Sequence, residues 1–229
     1  RAARRAGATE LVDGALYARD DGGFRLDLRR VELGTGNIQK TYSIVGATVF
    51  ELADSGTARV AADFGETTPL GSIADVTTKS LSAYRLYEQG LQAYYAFDFH
   101  AADPLFLAAL KEDSTFAMAA YYSAINEGIG TRETLQRFAL AARLAAHTTD
   151  RERLTIQAHY AFHSSSPSLR ALAETLAVRY PDEIEGYYFT GIALMQGGEY
   201  LRALAPLNKA IAMDSLKLAS AVGRCMGCE

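Results

Sequence analysis

From residue 81 onward the apolar residues recur with a helical period, and a longer period runs through them. Gly90 is followed by Ala124, Ala158 and Gly191, at gaps of 34, 34 and 33. Ala102 and Ala203 stand at offset 12 from Gly90 and Gly191, and Ala109, Ala177 and Ala210 at offset 19 from Gly90, Ala158 and Gly191. Small side chains at fixed points let paired helices pack at short distance, whereas bulk there would push the pair apart. A recurrence of this length is therefore one helix-turn-helix unit repeated. Units of that kind stack on one another to complete their cores, which predicts an α-solenoid of about four helical hairpins.

A helix-turn-helix of this period, with small residues at offsets 0, 12 and 19, resembles the tetratricopeptide (TPR) repeat, over about residues 82–215. The first and last repeats carry the likeness most clearly: Leu86, Gly90, Ala102, Phe106 and Ala109, then Tyr187, Gly191, Ala203, Leu207 and Ala210. The middle repeats depart from it. Gln136 and Arg170 stand where Ala is expected, Ser164-Ser165-Ser166-Pro167 forms the turn of the third repeat, and Asp113-Ser114 and Asp214-Ser215 replace the usual closing proline.

The resemblance implies a right-handed superhelix with a partner-binding groove lined by the first helix of each pair. Carried onto this chain, the groove positions are Tyr84, Tyr87, Leu91, Tyr94 and Tyr95 in the first repeat and Met118, Tyr121, Ile125, Gly128 and Ile129 in the second. The third supplies Glu152, Thr155, His159, Phe162 and His163, and the fourth Glu185, Tyr188, Ile192, Met195 and Gln196. Four tyrosines in one repeat suit a binding surface, because tyrosine offers a large contact area at low entropy cost plus a hydroxyl. Aromatic residues at helical spacing also form cores, and a neighbouring segment of the same chain is another occupant for such a groove. The repeat pattern assigns internal packing to Leu86, Gly90, Ala102, Phe106 and Ala109, which favours the groove reading. The family's clamp for C-terminal carboxylates uses Lys and Asn, which these positions lack, so an apolar or aromatic protein segment is the expected ligand.

The first third of the chain has a different pattern. Ten of the 19 glycines stand at or before Gly71. Thr9 to Arg19 reads as a strand broken at Asp20-Asp21-Gly22-Gly23. Phe24 to Leu33 alternates apolar with charged residues, and Gly34-Thr35-Gly36-Asn37 turns it back into Ile38 to Val45. Turns rich in Asp, Asn and Gly favour hairpins because they tolerate positive φ. Val49, Leu52, Ala53, Val60 and Phe64 then recur at helical spacing. The expectation is a small antiparallel three-stranded sheet with a helix, α+β, preceding the all-α part. Gly7-Ala8-Thr9-Glu10-Leu11-Val12-Asp13-Gly14, Phe24 to Leu33, Thr35-Gly36-Asn37 and Val49-Phe50-Glu51-Leu52 resemble the second half of the amino-terminal domain of TolB- and FlgO-type bacterial envelope proteins. The divisions expected are 1–65 for the α+β part, 66–80 for a linker rich in Gly, Thr and Ser with Pro69, 81–215 for the repeats and 216–229 for a tail.

Charge and motif content narrow the function. The 23 basic against 27 acidic side chains give a net charge of −4 without a basic block, which argues against nucleic acid or an anionic membrane surface as the main partner. No apolar run is long enough to span a membrane. There is no GxSxG elbow, HExxH or phosphate-binding loop. Gly34-Thr35-Gly36 reads as a turn, as does Asp20-Asp21-Gly22-Gly23, which lacks the downstream Glu of a calcium loop. His159 and His163 share a helix face but have no third metal ligand near in sequence. Cys225 and Cys228, the only cysteines, form one CxxC, half of a zinc site; in an oxidising compartment they are a possible disulfide. No catalytic, metal-binding or cofactor-binding residue is therefore expected, and no cofactor.

The chain opens Arg1-Ala2-Ala3-Arg4-Arg5 without Met, so a segment of a longer polypeptide is expected. The leading expectation is a non-catalytic protein-interaction scaffold. Its setting would be a membrane-extrinsic subunit bracing protein partners of a larger bacterial membrane complex, for example respiratory or photosynthetic. A periplasmic or envelope location is expected, with a cytoplasmic one as the alternative. Two further readings are a sensory region of a transmembrane signalling protein, such as a Ser/Thr kinase, and a CxxC redox or metal-binding protein.

Overall fold

The computed structural model describes residues 8–65, 77–127 and 130–225, as backbone only from residue 214 on. The chain divides into two compact units, Arg1–Val76 and Thr77–Glu229.

The first unit is an antiparallel sheet of β1 (Glu10–Ala18), β2 (Phe24–Glu32) and β3 (Ile38–Gly46) in the order β1-β2-β3, followed by α1 (Val49–Asp63). Gly22 and Gly36, at φ of 83° and 79°, take the left-handed positions of the two hairpin turns. Cross-strand pairs share a face, so Leu26 opposite Ile44 and Leu28 opposite Tyr42 build one apolar side. Leu52 and Val60 of α1 pack onto it. The helix starts where Thr48 accepts the Glu51 amide at 3.1 Å and Glu51 accepts the Ala47 amide at 2.8 Å. A Cβ on Gly56 would meet Leu28 and Ile44 at 3.3 and 3.5 Å, so the missing side chain lets α1 lie close to β2 and β3. Val12 and Leu16 of β1, on the same sheet face, stay exposed. Phe64 departs from its expected place on the apolar helix face. The helix ends at Asp63, whose carboxylate accepts from Tyr42 and Lys40, and Phe64 lies outside the core with the Arg30 guanidinium 5.0 Å from its ring centroid.

The second unit is a solenoid-like succession of helical hairpins: α2 (Leu81–Tyr95) with α3 (Phe99–Glu112), and α4 (Ala117–Asn126) with α5 (Arg132–Leu144), which runs into a 3₁₀ turn at Ala145–His147. These are followed by α6 (Asp150–His163) with α7 (Leu169–Arg179), and α8 (Ile184–Gln196) with α9 (Tyr200–Cys225). Capping side chains set several starts: Ser80, Asp98, Thr131 and Thr149 each accept an amide of the first turn. Asp113, at the expected closing proline, accepts the Thr115 amide at 2.9 Å and the Thr78 hydroxyl at 2.5 Å, so a carboxylate ties the turn instead of a ring. Of the expected linker, residues 66–76 lie outside the described residues.

Gly90, Ala124, Ala158 and Gly191 are all buried in their hairpins. A Cβ on Gly90 would stand 2.6 Å from the Phe106 ring, and one on Gly191 2.4 Å from Leu207. The second helices present equivalent inward triads. In the first three hairpins these are fully buried: Ala102, Phe106 and Ala109; Thr134, Phe138 and Ala141; and Leu169, Ala173 and Leu176. In the fourth, Ala203 and Ala210 are buried and flank the half-buried Leu207. These triads explain why Gln136 and Arg170 break the offset rule. The offset from first helix to second, 12 from Gly90 to Ala102, becomes 10 from Ala124 to Thr134 and 11 from Ala158 to Leu169. Thr134 and Leu169 thereby occupy the inward positions. In the second hairpin the cause is the early end of α4, two positions past Ala124, where α2 runs five past Gly90. Gln136 is left exposed, and Arg170 pairs with Glu174 and Glu199 at 2.9 and 2.7 Å. Ala177 is also placed otherwise than expected. Leu176 fills the interior of its hairpin, while Ala177 meets the next one: a Cβ on Gly186 of α8 would stand 2.6 Å from the Ala177 amide nitrogen.

Gly186→Ala should lower stability by about 1–3 kcal/mol despite the better helix propensity of Ala, since backbone must separate to admit the methyl. Gly90→Ala should cost less, because a ring can tilt where a backbone cannot. Urea midpoints of the two variants test this ordering. The reverse order would show that the contact inside a hairpin, not that between hairpins, is the tighter constraint.

Candidate functional site

The first helices α2, α4, α6 and α8, with the residue that starts α8, together line a cleft of about 300 Å³. Tyr95 comes from the end of α2; Met118, Tyr121 and Tyr122 from one face of α4; Arg151, Glu152, Thr155 and Ile156 from the first turns of α6; and Glu183 and Glu185 from the start of α8. The spacings within α4 and α6 are those of side chains three and four apart, which lie on one helix side.

Aromatic packing builds the tyrosine wall. Tyr94 makes edge contacts with Tyr95, Phe99 and Tyr122 at centroid distances of 5.6, 5.5 and 5.6 Å. Tyr122 stacks on Phe106 at 5.6 Å and shares a hydroxyl–hydroxyl hydrogen bond of 3.1 Å with Tyr95. Tyr95 is 66% exposed, a large value for an aromatic residue held by its neighbours. The opposite wall is charged. Glu152 closes a capping box at the start of α6, accepting the Thr149 amide at 3.1 Å and the Thr149 hydroxyl at 2.9 Å. Arg151 pairs with Glu183 at 3.2 Å. Three carboxylates thus line the cleft with one guanidinium, and the lining is net negative.

This setting fixes the state of the tyrosines. Burial pushes the hydroxyls of Tyr87, Tyr94, Tyr121 and Tyr122 above the ordinary phenol value. The negative charge of Glu152 at Tyr87, and of Glu185 at Tyr94 and Tyr121, adds to the effect. The phenols stay protonated at neutral pH, so they offer ring faces and hydrogen bonds rather than basic oxygens.

The residues expected in a groove fall into three groups. Tyr95, Met118, Tyr121, Glu152, Thr155 and Glu185 line the cleft, although Tyr121, at 4% exposure, is mostly in the core of the second hairpin. Tyr84, Tyr87, Tyr94, Ile125, His159, Phe162, His163 and Ile192 lie in the packing between helices. Tyr87 stands 4.8 Å from Phe116 and 5.8 Å from Tyr122, Tyr84 stands 6.3 Å from Tyr87, and Ile125 joins the core of the second hairpin. Phe162 and Ile192 pack on the core that holds Phe189. Leu91 is half-buried, whereas Tyr188, Met195 and Gln196 are exposed and do not line the cleft. Gly128, Ile129, Cys228 and the side chain of Cys225 lie outside the described residues.

Tyr122, Arg151, Ile156 and Glu183 line the cleft without having been expected there. Tyr122 joins Tyr121 in the lining, while Tyr121 also meets the Phe138 ring at 6.2 Å. A signal for Tyr122 was present in its position, four after Met118.

The two histidines are packed among rings. His159 lies 5.2 Å from Tyr121, 5.5 Å from Phe138 and 4.7 Å from Phe189, and His163 stacks on Phe138 at 4.4 Å. Nε2 of His159 is sealed from solvent and makes no hydrogen bond. Among the described residues, no group of three or more His, Cys, Asp or Glu is placed to hold a metal ion. Burial, with a smaller effect of His163, pushes His159 down to about 3.

No protein-family model and no curated protein sequence matches the chain. Among solved structures, that of a MamA RS-1 ArsTM double mutant aligns at 15% identity and a TM-score of 0.40, covering 74% of this chain and 94% of that one. A likeness at that level bears on neither family nor function.

The depressed His159 value sets a pH dependence. The imidazole is neutral when folded and takes up a proton near pH 6.5 when unfolded. Its contribution is therefore complete above 6.5 and is lost as the pH falls toward 3, at about 1.4 kcal/mol per pH unit. His159→Phe, which keeps a ring among the three rings, should lose about 2 kcal/mol less stability than the parent chain between pH 7 and 5. Urea unfolding at both pH values measures the difference. Equal losses would show that His159 takes up no proton on unfolding.

Proposed function

We propose that the second unit is a TPR-type, non-catalytic interaction scaffold and that the cleft on its first helices holds a segment of a partner protein. The observation that carries this reading is the convergence of all four first helices on one cleft, with the exposed Tyr95 ring at its edge. A segment lying there touches several hairpins at once, and tyrosine gives contact area with little loss of rotamer freedom. Phenols held in the protonated form support recognition rather than proton transfer. The setting we favour is a membrane-extrinsic or periplasmic subunit of a bacterial membrane complex, held by contacts with its protein partners. No described helix is long and apolar enough to cross a membrane, so on this reading the described region contributes protein contacts rather than a helical span.

A photo-crosslinking amino acid placed at Thr155, in cells producing the chain, should capture a discrete partner. The same group at the exposed Glu174 of α7 should not. Adding Tyr95→Ala should cut the yield from position 155 severalfold without changing helicity, since losing an aromatic contact worth about 1 kcal/mol weakens binding by that much. Equal yields from positions 155 and 174 would reject the cleft as the site.

A further inference from the structure

We propose that β1 pairs with β1 of a second copy of this chain, antiparallel and centred on Gly14, so that two sheets join into one. β1 ends the sheet order, and among the described residues no strand lies beyond it. Its pairing with β2 fixes which backbone groups are left for a neighbour. The Leu33 amide donates to the Thr9 carbonyl at 2.8 Å and the Arg19 amide to the Gly23 carbonyl at 2.9 Å, so the odd-numbered residues of β1 turn their backbone groups toward β2. Alternate residues of an antiparallel strand point the other way. Glu10, Val12, Gly14, Leu16 and Ala18 therefore hold their amides and carbonyls toward the open edge.

Two such edges join only by pairing even residues with even ones, and the side chains then decide the centre. About Gly14, the strand overlaps its copy along all nine residues, Glu10–Ala18. Val12 faces Leu16 of the second copy and Leu11 faces Tyr17, four side chains that are all exposed in the single chain. Val12 and Leu16 of both copies then continue the apolar side built by Leu26 and Leu28. Glu10 falls opposite Ala18 and Asp13 opposite Ala15, so no like charges meet. A centre at Asp13 would set two carboxylates against each other. A centre at Ala15 would leave Glu10 and Leu11 beyond the end of the facing strand. The strand is thus its own complement, as a two-fold interface requires.

The two edges of the sheet also differ in how they are guarded. Edges that stay single commonly carry Lys, Pro, a bulge or inward charges. β3 carries Lys40, and its register against β2 shifts between Arg30 and Val31. β1 has an unbroken register and neither Lys nor Pro. Its two carboxylates are tied back to β2, Glu10 to Arg30 at 3.1 Å and Asp13 to Arg29 at 3.0 Å.

The test uses the full chain with Cys225→Ser and Cys228→Ser, carrying Leu11→Cys and Tyr17→Cys together or singly. Positions 11 and 17 of the two copies would face each other without backbone bonds between them, about 4.5 Å apart at Cα and within disulfide reach. Along one strand the same positions lie about 20 Å apart, too far to bridge. Mild oxidation should give a covalent dimer from the double substitution and none from either single one. Sedimentation of the parent chain should show a dimer whose Kd rises roughly tenfold or more with Leu16→Lys and is unchanged by Ile38→Lys on β3. A parent chain that stays monomeric up to about 0.1 mM, a dimer insensitive to Leu16→Lys, or cross-linking by a single substitution would overturn the proposal. Amides of Val12, Gly14 and Leu16 protected from hydrogen exchange in a monomeric chain would mean that another strand holds the edge, and would overturn it too. None of the positions 11, 16, 17 and 38 lines the cleft, so either result leaves the binding-site reading untouched.

Discussion

Two helices can share a hairpin core only if backbone and side chain come within van der Waals reach, and at Gly90 and Gly191 that reach is shorter than any Cβ allows. The packing of the first and last hairpins is built on it. With Phe106 seated against the backbone of α2, the ring of Tyr122 stacks on Phe106, and Tyr95 finds the Tyr122 hydroxyl. The same requirement recurs between hairpins, where Gly186 admits the backbone of Ala177. Small residues thus set both how each pair closes and how successive pairs approach.

The tyrosines of the first helices are neither wholly core nor wholly surface. Tyr87, Tyr94 and Tyr122 touch one another or Phe106, Phe116 and Phe99, and only the outermost ring, Tyr95, is largely exposed. A recognition surface built as the outer edge of a packed cluster is preorganised, because its rings are already held by their neighbours. It also means that truncating the inner tyrosines removes core as well as contact, while truncating Tyr95 removes mainly exposed surface, with one edge contact to Tyr94 and one hydrogen bond to Tyr122.

Much of this was legible in the sequence. The strand order, the helix after it and the hairpin repeat follow from alternation, turn chemistry and the long recurrence from Gly90 to Gly191. Three things were not. The fixed offset failed at Gln136 and Arg170 because a shorter helix α4 and a shortened interval move the inward positions to Thr134 and Leu169, and the length of a helix depends on packing that local pattern does not record. Tyr122 joins Tyr121 in the lining because α4 presents both adjacent rings to the cleft, whereas a groove pattern carried over position by position picks only one of them. The carboxylate wall was missed as a wall: Glu152 and Glu185 were expected at groove positions one by one, but Glu183 and Arg151 join them only when helix starts from separate hairpins converge.

Glu152 has two obligations, one to the helix it starts and one to the cleft it borders. Most substitutions there would fray the first turn of α6 before any change in ligand preference came under selection. Gln is the exception, since it retains the reciprocal bond to the Thr149 amide. Evolutionary drift at this position is thereby channelled into a single conservative exit, one that keeps the helix end intact while removing a charge from the cleft.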